Sequence, residues 1–382
     1  MKIQDANLSG KTVIIRCDYN VPINDNKISD DTRIKASLKT INYVLESANK
    51  VILLSHMGRI KTKEDTKKYS LRLVSERLSE LLNKKVAFCT YDDDINKVID
   101  ENKIILFENT RFFDLDNKKE SNCDLELSKY FASFGDIFIN DAFGTCHRKN
   151  ASNVGISKFL PSYNGFLVMD EINMLNNVKN DPKKPYIVIM GGAKVSDKIS
   201  LIENIIKKAD KLIISGGMAF SFLKIQNINV GKSIVDPDSF DFCREILSKH
   251  VDKIVLPLDV YVSKKFENGE KTLRNITDIN DDEMALDVGE KTIELYKNII
   301  NDANTIFFNG PVGVFEFENF SYGTKELLKM LKEKEDKVYI GGGDSLSAIK
   351  KFNISFKNVS TGGGASLEYI EGNKLPGIFE GE

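Results

Sequence analysis

Several large protein classes are closed to this chain of 382 residues by what it lacks. Its five cysteines (Cys17, Cys89, Cys123, Cys146 and Cys243) are odd in number, and no C-x-x-C occurs. That argues against a disulfide framework or a zinc site and fits a reducing compartment. No stretch approaches the roughly 20 apolar residues of a membrane-spanning helix. The opening MKIQDANLSGKTVII has no long apolar run behind its lysine, so no secretion signal is expected and the cytoplasm is the expected location. Neither charge sign dominates: 54 basic against 56 acidic residues leave a net charge of −2. The surface as a whole therefore does not attract nucleic acid, and an acidic ligand must be drawn by local basic groups. No G-x-G-x-x-G dinucleotide fingerprint follows any strand-like run, and the protein-kinase signatures are missing. Gly231-Lys232-Ser233 ends like a P-loop, but Gln226 stands where its first glycine belongs.

What is present is sorted by position. Residues 1–165 hold six scattered glycines; residues 166–382 hold nineteen, clustered after apolar runs in IVIMGGAK, LIISGGMA, VYIGGGDS and NVSTGGGAS. Arginine runs the other way, with seven of nine falling by Arg148. Clustered glycine lets backbone N–H groups approach a phosphate chain, and arginine grips phosphate and carboxylate in a fork that lysine cannot match. The split predicts two lobes, one for a nucleotide and one for a small polyanion.

Ten short apolar runs recur: TVIIRCD, KVILLSH, KIILFEN and IFINDAF in the first half, and YIVIMGG, KLIISGG, KIVLPLD, TIFFNGP, VYIGGGD and NVSTGGG in the second. Apolar throughout, they read as strands buried on both faces. Ile34, Leu38, Ile41 and Leu45 keep helical spacing between such runs, as do Val195, Ile199, Ile202 and Ile206. The expected fold is α/β: two similar-sized lobes, each a mainly parallel sheet flanked by helices in three Rossmann-like layers. Ligands are expected outside the carboxyl ends of the strands, and two such sheets facing each other would leave an interlobe cleft. The polar stretch NNVKNDPKKP is the expected boundary, and GFLVMDEINML before it reads as a connecting helix.

Four arginines sit at strand exits or helix starts: Arg33, Arg59, Arg111 and Arg148. Each alone reads more often as a surface ion-pair partner; their shared topology points to one anion pocket. Arg72 and Arg77 read as surface and Arg16 as structural. His56 is either a satisfied strand-end histidine or a donor to an anion, and Asp18 and Asn20 either receive hydroxyls or shape the turn before Pro22. Lys194 and Lys198, four apart after IMGGA, are either solvated or face a phosphate at a helix end. Asp344 either holds Mg2+ against phosphates or caps a helix, as Ser345 also could. Glu316 either bonds a ribose hydroxyl or is simply exposed.

Together these residues resemble phosphoglycerate kinase. RCDYNVP, SHMGR, ENTRFF, NDAFGTCHRKNAS, GGAKVSDKI, SGGMAFSFL, LPLDV, NGPVGVFE, GGGDS and VSTGGGASLEYIEG follow in family order from end to end. The resemblance implies that Asp18, Tyr19, Asn20, Arg33, His56, Met57, Gly58, Arg59, Arg111 and Arg148 bind the phosphoglycerate moiety. It implies a nucleotide site of Gly192, Lys194, Lys198, Gly216, Gly217, Gly289, Asn309, Glu316, Gly342, Gly343, Asp344 and Ser345, with Asp344 on Mg2+. Arg33, Lys198 and the amides of Gly362, Gly363 and Gly364 would serve the transferring group. The implied layout is a phosphoglycerate-binding domain over 1–165, a connecting helix over 166–180, a nucleotide-binding domain over 181–365, and a tail over 366–382 returning to the first domain.

The implied reaction is reversible phosphoryl transfer from 1,3-bisphosphoglycerate to MgADP, giving 3-phosphoglycerate and MgATP in glycolysis, by a monomer whose lobes close on a hinge. Ile60 departs from the proline after the family's SHLGR, with KTKEDTK in place of a compact turn; Ser215 replaces a glycine and Glu290 the proline of DIGP. None removes a charge from the implied chemistry, so altered constants are expected rather than lost activity. Three alternatives carry discriminating signs. A two-lobed dehydrogenase would need the absent fingerprint, an anion-binding protein without turnover would not need four glycine clusters, and an inactive paralogue would not need Lys198, Asp344 and Arg33.

Overall fold

In the computed structural model, which describes residues 1–380, every one of the ten apolar runs contains a strand. The chain divides into two units, Met1–Ile172 together with the chain from Lys374 onward, and Asn173–Asn373. The division falls inside a helix, Phe166–Lys179. No helix among the described residues is long and apolar enough to cross a membrane.

The first unit is built on β1 (Thr12–Arg16), β2 (Lys50–Leu54), β3 (Ala87–Cys89), β4 (Ile104–Phe107), β5 (Ile137–Asn140) and β6 (Ser162–Asn164). They form one sheet in the order β3-β4-β2-β1-β5-β6, with every neighbour parallel. Strand side chains alternate between faces, and both faces are covered. Val13, Ile15, Val51, Leu53 and Ile139 pack with Ile34, Ile41 and Val44 of the helix Thr32–Leu45. Ile14, Ile52, Leu54 and Phe138 pack with Leu127 and Phe131 of the helix Leu125–Ala132. Two covered faces are why these runs show no polar alternation. The tail joins this unit: Gly377 N–H donates to the Cys146 carbonyl (2.9 Å), Asn140 Nδ2 donates to the Gly377 carbonyl (2.7 Å), and Phe379 N–H donates to Asn164 Oδ1 (2.9 Å).

The second unit contains β7 (Tyr186–Met190), β8 (Lys211–Ile214), β9 (Ile254–Val255), β10 (Asp259–Ser263), β11 (Thr272–Asn275), β12 (Met284–Val288), β13 (Thr305–Asn309), β14 (Val338–Ile340) and β15 (Asn358–Val359). Its main sheet runs β9-β8-β7-β13-β14-β15, all parallel. Ile187, Ile189, Ile306 and Phe308 pack on one face with Tyr296 and Leu327 of the helices Glu290–Asn301 and Tyr322–Lys332. A second sheet, β11-β10-β12, is antiparallel. The sequence reading missed it because the run KIVLPLD spans β9 and the start of β10, separated by Pro257. Val260, Val262 and Ala285 of this small sheet pack on Phe220 and Leu223 of the helix Gly217–Lys224.

In both main sheets the first strand has later strands on either side: β1 lies between β2 and β5, and β7 between β8 and β13. Such a reversal of strand order is where open α/β sheets leave a crevice for ligands. In the first unit that point is the exit of Arg16 and Asn140; in the second it is the exit of Met190 and Asn309.

Candidate active site

In the second unit the strand exits come unusually close. Gly191 N–H donates to the Asn309 carbonyl at 3.0 Å, and a Cβ on Gly191 would overlap the Pro311 carbonyl oxygen. Gly216 (φ 61°) and Gly310 (φ 97°) beside it occupy the left-handed region that glycine tolerates. Gly191→Ala is therefore expected to cost about 1–3 kcal/mol from overpacking, read as a lower thermal midpoint; an unchanged midpoint would contradict this close approach.

Lys198 reaches into this junction. Its Nζ donates to the Gly191 carbonyl (2.6 Å) and to the Asn309 carbonyl (3.2 Å). Burial pushes its pKa from 10.5 down to about 8, against the upward pull of Asp344 and Asp197. The sequence places Lys194 and Lys198 at a helix start. In the structure Ser196–Lys198 is a 3-10 turn, the α-helix begins at Ile199, and Lys194 is exposed. Asn309 is buried; its Nδ2 donates to the Gly341 carbonyl (2.9 Å), and its Oδ1 has no hydrogen-bond partner among the described residues. Ser345 Oγ accepts from Gly310 N–H at 2.7 Å. The cap of the helix Gly343–Lys351 is Gly342 (φ 92°), so neither Asp344 nor Ser345 holds that position. Asp344 is exposed in the first turn.

A cavity of about 450 Å3 opens beside these exits. Gly192, Gly216, Gly217, Glu316 and Asp344 line it, with Phe266, Met284, Val288, Pro311 and Val312 supplying apolar wall. The antiparallel sheet forms part of that wall, which sequence reasoning therefore missed. Apolar walls with a few polar groups at one end suit a nucleotide. Gly289 does not line the cavity; it caps the helix Glu290–Asn301, where a Cβ would overlap the Asp259 carboxylate. Of the three later glycines, Gly362 has its N–H committed to Ser360 Oγ (3.1 Å). Gly363 (φ 55°) and Gly364 open the helix Gly364–Ile370, whose first amides have no acceptor within the helix.

In the first unit positive charge gathers around His56. Burial first, then Arg16, Arg111, Arg33 and Arg148, hold this imidazole well below its ordinary pKa of 6.5. Arg111 is itself pushed down by burial and by Arg148 and Arg16. Like charges that depress one another's proton affinity form a site that an anion would relieve. Arg33 lies in the first turn of the helix Thr32–Leu45 and pairs with Asp18 at 2.6 Å. Asn20 Oδ1 accepts from Gly58 N–H at 2.9 Å, tying RCDYNVP to SHMGR. Arg111 donates to the Gly58 carbonyl, and Arg148 Nε donates to His147 Nε2 (3.1 Å). Arg59 is exposed. Tyr19 and Met57 belong to the core, and the Tyr19 hydroxyl bonds Ser37 at 2.9 Å.

Two positions escaped the sequence reading here. Arg16, read as structural, is 1% exposed and donates through Nη2 to His56 Nδ1 at 3.1 Å. Asn109 clamps two loops: its Oδ1 accepts from Met57 N–H (3.1 Å) and Arg111 N–H (3.0 Å), and its Nδ2 donates to the Met57 (2.7 Å) and Tyr69 (2.9 Å) carbonyls.

Residues 3–373 match the family model described as phosphoglycerate kinase. The chain belongs to the phosphoglycerate kinase family. It is 48% identical over 385 residues to phosphoglycerate kinase of Staphylococcus aureus (strain bovine RF122 / ET3-1), covering 98% of this chain and 97% of that one. It is 49% identical over 388 residues to that of Enterococcus faecalis, with the same coverage. Among solved structures it resembles phosphoglycerate kinase from Coxiella burnetii (TM-score 0.89, 38% identity, 99% of this chain and 97% of that chain). It also resembles the Pyrococcus horikoshii enzyme (TM-score 0.84, 32% identity, with the same coverage). Phosphoglycerate kinases are phosphotransferases of glycolysis, and this chain is an enzyme of that kind, acting on small-molecule substrates that include ADP and ATP.

The three departures from the family motifs are accommodated locally. Ile60 is buried, and the residues after it form a helix, Lys63–Lys68, closed by a capping box between Thr62 and Asp65. Ser215 is buried and its Oγ accepts from the Tyr296 hydroxyl at 3.1 Å. Glu290 accepts from the Tyr261 hydroxyl.

Proposed function

We propose that the arginine cluster of the first unit binds the phosphoglycerate and that the glycine-walled cavity of the second binds the nucleotide. The observation that carries this is a buried His56 in contact with Arg16 at 3.1 Å and held neutral by burial and by the charges of Arg16, Arg111, Arg33 and Arg148, a surplus of positive charge for an anion to neutralise. Arg111 and Arg148 take the 3-phosphate and carboxylate. His56, held neutral, donates a hydrogen bond without adding charge. Asp18 and Asn20 receive the substrate hydroxyl. The base enters the apolar cavity between Gly216 and Val312, and Glu316 takes a ribose hydroxyl.

The attacking and leaving oxygens are already ionised at neutral pH, so no general base is required. Catalysis consists of positioning and neutralising charge on the transferring group. Lys198 exchanges its two carbonyl partners for phosphoryl oxygens, Arg33 supplies a further cation for the chemistry, and the N–H groups of Gly363 and Gly364, at the start of their helix, serve as donors to phosphate. Mg2+ takes one or two carboxylates with phosphate oxygens, and the exposed Asp344 carboxylate beside the cavity fits that demand. When bound, the metal would neutralise phosphate charge. A monomer in the cytoplasm completes the reading.

Arg148→Ala is expected to raise KM for 3-phosphoglycerate by about tenfold or more, the scale of a charge-assisted hydrogen bond, with KM for ATP little changed. Steady-state kinetics with each substrate varied decides this. Equal weakening toward both would remove Arg148 from the phosphoglycerate pocket.

A further inference from the structure

One buried carboxylate that the sequence reading passed over joins the loops around this anion site. Glu120 is 1% exposed. Its Oε1 accepts from Thr110 Oγ1 (3.1 Å), the residue before Arg111, and from Ser152 Oγ; its Oε2 accepts from Ser152 N–H (3.0 Å). Its own carbonyl accepts from Ala151 N–H (2.9 Å) and Asn150 Nδ2 (3.4 Å). The loop carrying Arg148 and the turn carrying Arg111 are thus both fastened to Glu120.

The chain of contacts continues to the histidine. Ser152 Oγ accepts from Arg16 Nε at 2.9 Å, and Arg16 Nη2 donates to His56 Nδ1 at 3.1 Å. Arginine carries donors only, so the ring nitrogen that faces it must be an acceptor. In a neutral imidazole the proton then sits on Nε2. Arg16 is as deeply buried as Glu120, and an unpaired buried guanidinium would be costly. Arg16 makes no direct ion pair among the described residues; its own bonds go to Ser152, the Cys17 carbonyl and His56. Burial raises the Glu120 pKa, and the Arg16 charge beyond Ser152, together with the Ser152 hydrogen bonds, opposes that rise.

We propose that Glu120 is a positioning residue for phosphoglycerate. It anchors Arg16 through Ser152 and thereby fixes His56 in the Nε2–H tautomer, so that an uncharged ring still donates to an anionic substrate. This rests on the reading of the arginine cluster as the phosphoglycerate site. Sequence analysis could not find it, because Glu120 lies among the charged residues of DNKKESNC and touches its partners only through the fold.

The test pairs kinetics with the imidazole tautomer, read from 15N shifts of His56 in the ligand-free enzyme. The parent is expected to show protonation at Nε2. Glu120→Gln keeps the shape but removes the charge and one acceptor. It is expected to raise KM for 3-phosphoglycerate about tenfold, to leave KM for ATP within twofold, and to mix the two tautomers. Ser152→Ala cuts the same link and is expected to mix the tautomers as well, which carries the test if Glu120→Gln does not fold. An Nδ1–H tautomer in the parent, or an unchanged tautomer in both variants, overturns the inference. If Arg148→Ala raises KM for 3-phosphoglycerate and Glu120→Gln does not, the positioning role alone falls. If neither variant raises it, the site assignment falls and the inference with it.

Discussion

Lys198→Ala is expected to lower kcat by about two to three powers of ten, the scale of losing one contact made chiefly in the transition state. The ground-state structure gives the reason. Lys198 already has two carbonyl acceptors, at 2.6 and 3.2 Å, so a bound nucleotide must offer more negative charge than those carbonyls to draw it away. The contact therefore strengthens as charge develops on the transferring group, and KM for the nucleotide is expected to change by less than an order of magnitude. A turnover near that of the parent would remove Lys198 from the chemistry.

The pH dependence has a definite sign. Burial lowers the Lys198 pKa from 10.5 to about 8. Between those values the unfolded chain binds more protons than the folded one, so this residue's unfavourable contribution to stability is full below about 8 and is relieved as pH rises. Activity runs the other way. The ammonium is lost from the free enzyme above about pH 8, so kcat/KM for ADP is expected to fall there, beyond the range where the substrate phosphates titrate. A kcat/KM that stays flat to pH 10 would contradict this.

Arg33→Ala is the second large effect, an expected fall in kcat of about two to three powers of ten with almost no change in stability. Arg33 sits in the first turn of its helix, where a cation opposes the helix dipole by about 0.3–1 kcal/mol. Its ion pair with Asp18 is partly exposed, which limits its worth to about 0–1 kcal/mol. The two terms nearly cancel, so the residue has no structural reason to be there. Arg33→Lys, which keeps the charge but not the fork, should recover only part of the rate. A thermal midpoint lowered in step with activity would show that Arg33 is structural after all.

How much of this was legible in the sequence follows from how each signal is encoded. Most of the ten strands were readable because a strand covered on both faces leaves an uninterrupted apolar run; the edge strands β9 and β15 are only half-buried, against that expectation. The edge strands β3 and β6 were not, because AFC is only partly buried and SYN is polar. The antiparallel sheet hid behind Pro257 and behind the exposed, polar TLRN of β11. Arg33, Arg111 and Arg148 stood out because loop arginines are scarce in a lysine-rich chain. Arg16 did not, because inside a strand run it looks like an ordinary strand-end charge, and only the fold sets it against His56. Lys198 was legible by position but not by state: nothing in GGAKVSDK says that its ammonium folds back on the Gly191 and Asn309 carbonyls. Asn109 and Glu120 act through partners 40 or more and 32 residues away, respectively, at Tyr69 and Ser152, and no local pattern records such contacts.

The most direct test is a crystal of the enzyme grown with 3-phosphoglycerate and MgADP. The account predicts phosphoglycerate oxygens within hydrogen-bond reach of Arg111, Arg148 and His56 Nε2, and the adenine in the cavity beside Gly216 with phosphates running toward Lys198 and Asp344. Phosphoglycerate bound away from the His56 cluster, or a nucleotide outside that cavity, would contradict it.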